Sequence, residues 1–198
     1  MQDSVPTPDA RHGATRVFLA LGVPEHIAAS LASAVPVTPD AARIVHPADM
    51  HVTLHFLGDQ TPEALSALMA GLDRCATSLP GGTVRLDRTF ALPSGNHPRL
   101  VAAEASVSRG LHVMREHLTD MLATLSRQWP GLTPESRPWR PHVTLYWLKR
   151  RRHHPLPLDL PLGLAFDARA VGLYASQPGQ VPRYRMLASW PLRCDEDD

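Results

Sequence analysis

Two copies of one tetrapeptide limit the folds that are open to this chain. The sequence His-Val-Thr-Leu occurs at 51–54 and again at 142–145, almost half a chain apart. Each copy lies in a run of apolar and polar residues that is typical of a β-strand. Side chains alternate between the faces of a strand, so histidine and threonine share one face and valine and leucine point to the core. We therefore expect a duplicated β-unit that presents two imidazoles and two hydroxyls.

The rest of the chain alternates between strand-like and helix-like patterns. We expect strands at 15–21, 84–91, 99–105, 166–174 and 183–190, and helices at 24–34, from 62 onward and at 108–128. Thr61 is a suitable cap for the second helix, and Pro62 costs little at the first helical position. Such alternation could indicate a parallel doubly wound sheet, but no glycine-rich phosphate loop follows the first strand, so we reject that fold.

The composition is that of a single compact domain. The chain has 198 residues, is 43% hydrophobic and carries a formal net charge of +1, which allows a real core and does not indicate a partner such as duplex DNA. Two cysteines without metal-ligand spacing fit a reducing cytoplasm, and no apolar stretch reaches membrane-spanning length. We expect a monomer with a flexible tail at 1–14, one domain of two lobes at 15–192 and an acidic tail at 193–198.

The residue types in the two copies suit displacement at phosphorus. Such a reaction needs one group to take a proton from the attacking water and another to give a proton to the leaving oxygen. Two imidazoles can do both near neutral pH, because their unperturbed pKa is about 6.5. The hydroxyls of Thr53 and Thr144 can donate hydrogen bonds to the phosphate oxygens. No metal or cofactor is needed, and the local sequence does not say whether His51 or His142 is the acid.

Strict strand alternation makes three further predictions about the motif strands. It places His55 on the face of His51, but about 13 Å away along the strand, which is too far for both to bind one metal ion. It places Trp147 on the face opposite His142 unless the strand bulges or ends first. Trp147 is therefore either an aromatic residue of the core or, if the strand bulges or ends, a surface on which a base stacks. For the first motif strand, we expect Phe56 to pack in the core.

Several cations lie close to the second copy. Lys149 and Arg150 begin a basic run at 149–154, and Arg140 lies two residues before His142. The run is either a solvated loop or a contact to RNA phosphates, and Arg140 is either a surface residue or a phosphate ligand.

The motifs and their flanking residues resemble the two-histidine (2H) phosphoesterases, most of all the bacterial and archaeal RNA 2′,3′-cyclic phosphodiesterases, also called 2′-5′ RNA ligases. The similarity includes the opening strand at 16–21, the first motif at 49–58, the second at 137–145 and the closing segments at 173–176 and 184–187. It implies an α+β fold in which two antiparallel sheets with outer helices surround a central cleft and are related by a pseudo-twofold axis.

The resemblance also implies an activity and a role for each histidine. RNA ends or nucleotides that carry a 2′,3′-cyclic phosphate would be hydrolysed to 2′-phosphomonoesters, with His51 as proton donor and His142 as proton acceptor. Open alternatives are 2′-5′ RNA ligation, which is the reverse reaction, and hydrolysis of a small cyclic phosphate. A non-catalytic RNA-binding module is disfavoured by the intact motifs. Family members often carry an arginine where this chain has Trp147, and Lys149 or Arg150 could replace it.

Overall fold

The computed structural model describes residues 13–35, 42–93, 97–149, 160 and 163–193. In these ranges the strands are β1 (Thr15–Gly22), β2 (Ala42–Ile44), β3 (His51–Gln60), β4 (Gly82–Leu92), β5 (Leu100–Val107), β6 (His142–Leu148), β7 (Ala165–Ala168), β8 (Ala170–Ser176) and β9 (Tyr184–Pro191), and the helices are α1 (Glu25–Ala34), α2 (Pro62–Cys75) and α3 (Arg109–Leu125). The two expected tails, except for 13–14 and 193, and the basic run after Lys149 lie outside the described residues.

The strands form one antiparallel sheet whose order is symmetric about its centre. The order is β7-β4-β5-β6-β3-β1-β8-β9, and β2 pairs with β6. The two motif strands, β3 and β6, pair at Val52 and Val143. The two expected sheets therefore meet edge to edge, as a first-motif lobe (β3, β1, β8 and β9) and a second-motif lobe (β6, β5, β4, β7 and β2). This architecture confirms the predicted two-lobed α+β fold.

A one-residue link makes this sheet curl. β7 pairs with β4 in one lobe and β8 pairs with β1 in the other, yet only Arg169 separates them. In a flat sheet these two strands would lie about 29 Å apart at the usual strand spacing. Our prediction of one strand across 166–174 was wrong, because the apolar pattern continues past Arg169 while the pairing partner changes.

The helices begin and pack as their sequences predict. The hydroxyl of Thr61 accepts a hydrogen bond from the N–H of Ala64 at 3.3 Å, so it caps α2. Leu111, Met114, Leu118 and Leu122 recur at helical spacing and form the buried face of α3. Among the described residues, no helix combines the length and apolar character needed to cross a membrane.

A bulge in β3 changes the face on which its later residues lie. The pairing of β3 with β1 shifts register at Leu54. A bulge residue interrupts strand alternation, so His55 is buried beside Leu54 and Phe56 is 51% exposed. Our predictions that His55 shares the face of His51 and that Phe56 packs in the core were both wrong for this reason.

The second motif strand contains a bulge at the corresponding position. The pairing of β6 with β5 shifts register at Leu145, so Leu145 and Tyr146 are both buried and Trp147 is 36% exposed. The bulge that Trp147 needs to share the face of His142 is thus present. Both motif strands now show the same order: histidine and threonine outward, a bulge, a buried ring and an exposed aromatic residue.

Candidate active site

A cleft of about 610 Å³ lies over the junction of the two lobes. Both motif histidines and both motif threonines line it. Because Val52 pairs with Val143, the antiparallel register places His51 towards Thr144 and Thr53 towards His142. The junction therefore brings the four predicted residues together.

The imidazoles of the two motifs are oriented by the same hydrogen bond. Nδ1 of His51 lies 2.6 Å from the carbonyl oxygen of Asp49, and Nδ1 of His142 lies 2.7 Å from that of Arg140. A carbonyl oxygen can only accept, so Nδ1 carries the hydrogen in each ring. Nε2 of each ring is then the nitrogen that can exchange a proton with a ligand in the cleft.

The surroundings of the two imidazoles differ. The His51 ring centroid lies 4.7 Å from that of Phe18, whereas the His142 ring meets Phe90 edge-on at 6.0 Å. Burial lowers the pKa of His51 to about 4, although the carbonyl and the carboxylate of Asp49 both act to raise it. Without a bound anion, His51 is therefore neutral at pH 7.

Asp49 connects His51 to the beginning of β9. Its buried carboxylate accepts hydrogen bonds from the backbone N–H groups of Arg183 and Tyr184, both at 2.9 Å. The Tyr184 ring lies edge-on to His51 with 5.2 Å between centroids. Arg183 and Tyr184 were not among the predicted site residues, because they are more than 130 residues from Asp49 and the pattern around them predicted only a strand.

The threonine hydroxyls are available to a ligand. Within the described ranges, neither Thr53 nor Thr144 uses its hydroxyl in a hydrogen bond. The backbone carbonyl of Thr53 accepts a hydrogen bond from the indole N–H of Trp139 at 2.9 Å, which fixes this part of β3. Each hydroxyl can therefore donate to an oxygen of a bound phosphate.

The four other substrate-binding residues predicted from the sequence differ in where the structure places them. Arg140 and Trp147 line the cleft, whereas Lys149 is exposed and is not among the residues that line it. Arg150 lies outside the described residues. The guanidinium of Arg140 donates to the carboxylate of Glu104 at 3.2 Å, so it is held beside the cleft.

Two exposed aromatic residues extend the cleft in opposite directions. Phe56 and Trp147 both line it, and each follows its bulge on one of two antiparallel motif strands. The guanidinium carbon of Arg16 lies 6.0 Å from the Phe56 ring centroid, and that of Arg43 lies 5.9 Å from the Trp147 ring centroid. Exposed aromatic rings are surfaces on which nucleobases stack, so the cleft offers one on each side of the histidines.

His55 lies on the buried side of the sheet. Its side chain is fully buried, and its Nε2 is 3.2 Å from the hydroxyl of Thr119, which itself donates to a backbone carbonyl. Nε2 is therefore the protonated nitrogen of this ring. Over the part of the chain that is described, no three or more His, Cys, Asp or Glu residues are grouped as possible metal ligands.

Comparison with known proteins finds relatives along almost the whole chain. Residues 21–102 match the family model of the LigT-like phosphoesterases. The RNA 2′,3′-cyclic phosphodiesterase of Thermus thermophilus is 30% identical over 186 residues, which cover 90% of both chains. The enzyme of the same name from Bacillus subtilis is 27% identical over 180 residues, which cover 88% of this chain and 95% of the relative.

Solved structures share the fold. A crystal structure of a Thermus thermophilus protein superposes with a TM-score of 0.77 at 26% identity, over 91% of this chain and all of the other. Escherichia coli LigT in complex with 3′-AMP gives a TM-score of 0.72 at 26% identity, over 90% of this chain and 98% of LigT. With its two opposed histidine motifs and these relatives, the chain belongs to the LigT-like phosphoesterases of the 2H superfamily.

Proposed function

We propose that the protein hydrolyses 2′,3′-cyclic phosphate ends of RNA to 2′-phosphomonoesters, without a metal ion. The observation that carries this proposal is the pair of imidazoles, each anchored through Nδ1 and each facing a threonine hydroxyl across one cleft. The names of the Thermus thermophilus and Bacillus subtilis relatives support it.

The proposed reaction is an in-line displacement. Nε2 of His142 takes a proton from water as the water oxygen bonds to phosphorus. The bond from phosphorus to the 3′ oxygen breaks, and protonated His51 gives its Nε2 proton to that oxygen. Thr53 and Thr144 donate hydrogen bonds to the non-bridging oxygens and stabilise the charge that grows on them.

The donor role of His51 requires that substrate binding raise the pKa of His51, so that the ring takes up a proton from solvent before it donates. Burial keeps the pKa of His51 at about 4 in the free protein. A cyclic phosphate brings a negative charge next to the ring, and a nearby negative charge favours the imidazolium form. The neutral state of His51 in the free protein favours the reversed assignment, in which His51 is the base. The family resemblance supports His51 as the proton donor.

The aromatic residues of the cleft support a nucleotide substrate. Trp147 takes the position where family members often carry an arginine, and it can stack on a base although it cannot pair with a phosphate charge. Phe56 offers a second ring in the opposite direction. A base on each side of the phosphorus would also suit the reverse reaction, 2′-5′ ligation of a 5′-hydroxyl RNA end, which we propose as the second activity.

The deciding experiment measures turnover of a 2′,3′-cyclic nucleotide and of a short RNA with a 2′,3′-cyclic phosphate end, in the presence of a chelator. We expect a 2′-phosphate product from the wild type, and a loss of orders of magnitude in His51→Ala and in His142→Ala. His117→Ala, which removes an exposed histidine of α3, is the matched control and keeps full activity. A 3′-phosphate product, or near-normal turnover by either motif variant, would contradict the mechanism.

A further inference from the structure

A second hollow, lined by three arginines, opens beside the catalytic cleft. It has a volume of about 450 Å³, and its lining includes Arg16, Arg183, Arg185 and Ser176. All of these except Arg185 also line the cleft, so the two spaces are adjacent. We call this space the basic hollow.

Arg183 lies where the basic hollow joins the cleft. Its backbone N–H donates to the Asp49 carboxylate at 2.9 Å and its carbonyl accepts from the N–H of Gln177 at 2.7 Å, so its backbone is fixed on both sides. Its guanidinium carbon lies 6.0 Å from the ring of Tyr184, which itself contacts His51. The side chain therefore starts next to the catalytic histidine.

The guanidinium of Arg183 has an unused donor. Its Nε is buried and has no hydrogen-bond partner in the part of the chain that is described. The nearby carboxylate of Asp49 already accepts from the backbone N–H groups of residues 183 and 184. A buried N–H on a charged group is costly when it has no acceptor, so this site is suited to a ligand that brings anionic oxygens.

The charge of the basic hollow is positive among its described residues. Its three arginines face one carboxylate, that of Asp59, which pairs with Arg16 at 3.1 Å on the surface. Arg185 is exposed and forms no ion pair with another described residue. Arg183 and Arg185 are thus left to bind an anion.

We propose that the basic hollow binds the RNA strand on the 5′ side of the cyclic phosphate, with Arg183 at its entrance. This inference rests on the proposed function. A strand that ends in a 2′,3′-cyclic phosphate has its other phosphates only on the 5′ side of the terminal nucleoside. Arginine side chains bind such phosphates by charge-assisted hydrogen bonds. The preferred substrate is therefore an oligonucleotide, because a cyclic mononucleotide has no second phosphate for the hollow.

The test compares kcat/KM for a 2′,3′-cyclic mononucleotide and for a trinucleotide with the same terminal base and cyclic end. Arg185→Ala is the main variant, since Arg185 lines the hollow and not the cleft. We expect the trinucleotide-to-mononucleotide ratio of kcat/KM to fall about tenfold, and the salt dependence of trinucleotide turnover to weaken. Arg74→Ala removes the same charge from the exposed surface of α2 and leaves the ratio unchanged.

A binding measurement separates this inference from the proposed activity. The probe is a fluorescent trinucleotide that ends in a 2′-phosphate, which needs no turnover. Binding that is about tenfold weaker in Arg185→Ala than in the wild type would support the basic hollow as an RNA site. If the wild type hydrolysed neither cyclic substrate, only the proposed function would be overturned, and the binding result would still support the hollow. Binding and a substrate ratio that are both unchanged in Arg185→Ala and in Arg183→Ala would overturn the inference and leave the function standing.

Discussion

Val52 pairs with Val143 where the two lobes meet, and each valine lies between the histidine and the threonine of its own motif. Both valines are fully buried. The relative placement of the two imidazoles therefore depends on the packing of two core side chains beneath them. A change in that packing moves the two imidazoles that, in the proposed mechanism, lie on opposite sides of the phosphorus.

Shortening Val52 is expected to affect both stability and turnover. Val52→Ala removes two buried methyl groups and should lower the free energy of unfolding by about 2 kcal/mol. It should also lower kcat, because the junction strand can shift. Chemical denaturation and steady-state kinetics measure the two effects. Val171 on β8 is equally buried, so Val171→Ala should lower the free energy of unfolding by a similar amount but lower kcat less. Equal losses of kcat in the two variants would show that the junction has no special role.

The charge of Asp49 is expected to set one limb of the pH–rate profile. Its carboxylate raises the pKa of His51, so Asp49→Asn should lower that pKa. A reaction that needs one protonated and one neutral histidine has a bell-shaped pH–rate profile. If His51 is the protonated donor, a lower pKa of His51 moves the alkaline limb of this profile to lower pH. A shift of the acid limb instead would make His51 the base. Asp120→Asn, an exposed change on α3, should leave both limbs in place.

His55 is expected to make the fold sensitive to acid. Burial and then the charge of Arg115 lower its pKa to about 4, and its buried Nδ1 has no partner among the described residues to accept a proton from it. Between pH 6.5 and pH 4 the unfolded chain binds a proton here and the folded protein does not, so stability falls as the pH falls. The contribution lost between pH 7 and pH 5 is about 2 kcal/mol.

Urea unfolding of the wild type and of His55→Gln at these two pH values checks this. The variant should lose less stability between pH 7 and pH 5 than the wild type, whatever its stability at pH 7. His117→Gln replaces an exposed histidine on α3 and should follow the wild type. Equal losses in the wild type and His55→Gln would show that His55 titrates normally.

The exposed rings of the cleft are expected to contribute to substrate binding. Phe56→Ala and Trp147→Ala should each raise KM for a short RNA with a cyclic phosphate end about tenfold. This factor corresponds to the binding free energy that stacking of one base on an aromatic ring contributes. Met186 is as exposed as Phe56 but does not line the cleft, so Met186→Ala should leave KM unchanged. An unchanged KM in both aromatic variants would exclude stacking at these positions.

The sequence predicts the parts of the fold that local patterns encode. The motif strands, the Thr61 cap and the buried face of α3 follow from alternation, capping chemistry and helical spacing. The bulges at Leu54 and Leu145 are properties of the register between two strands, which the pattern within one strand does not reveal. This is why the aromatic residues that follow them were predicted on the wrong face or left open.

Contacts between distant segments explain what else was missed. The carboxylate of Asp49 meets the backbone of Arg183 and Tyr184 only because β9 joins the first-motif lobe. Charge patterning drew attention to the run at 149–154, whereas the arginines beside the cleft, Arg16 and Arg183, come from two different segments of the chain. Only the folded sheet brings them together.

The link at Arg169 also sets the order in which the protein can assemble during synthesis. The second-motif lobe is built from segments that leave the ribosome before residue 169, whereas the first-motif lobe needs β8 and β9, which follow it. Pairing β1 with β8 joins residues more than 150 positions apart, and such non-local contacts form slowly. The nascent chain thus contains both histidine motifs well before it can position them. The cleft is complete only when the last strands, β8 and β9, have been added to the sheet.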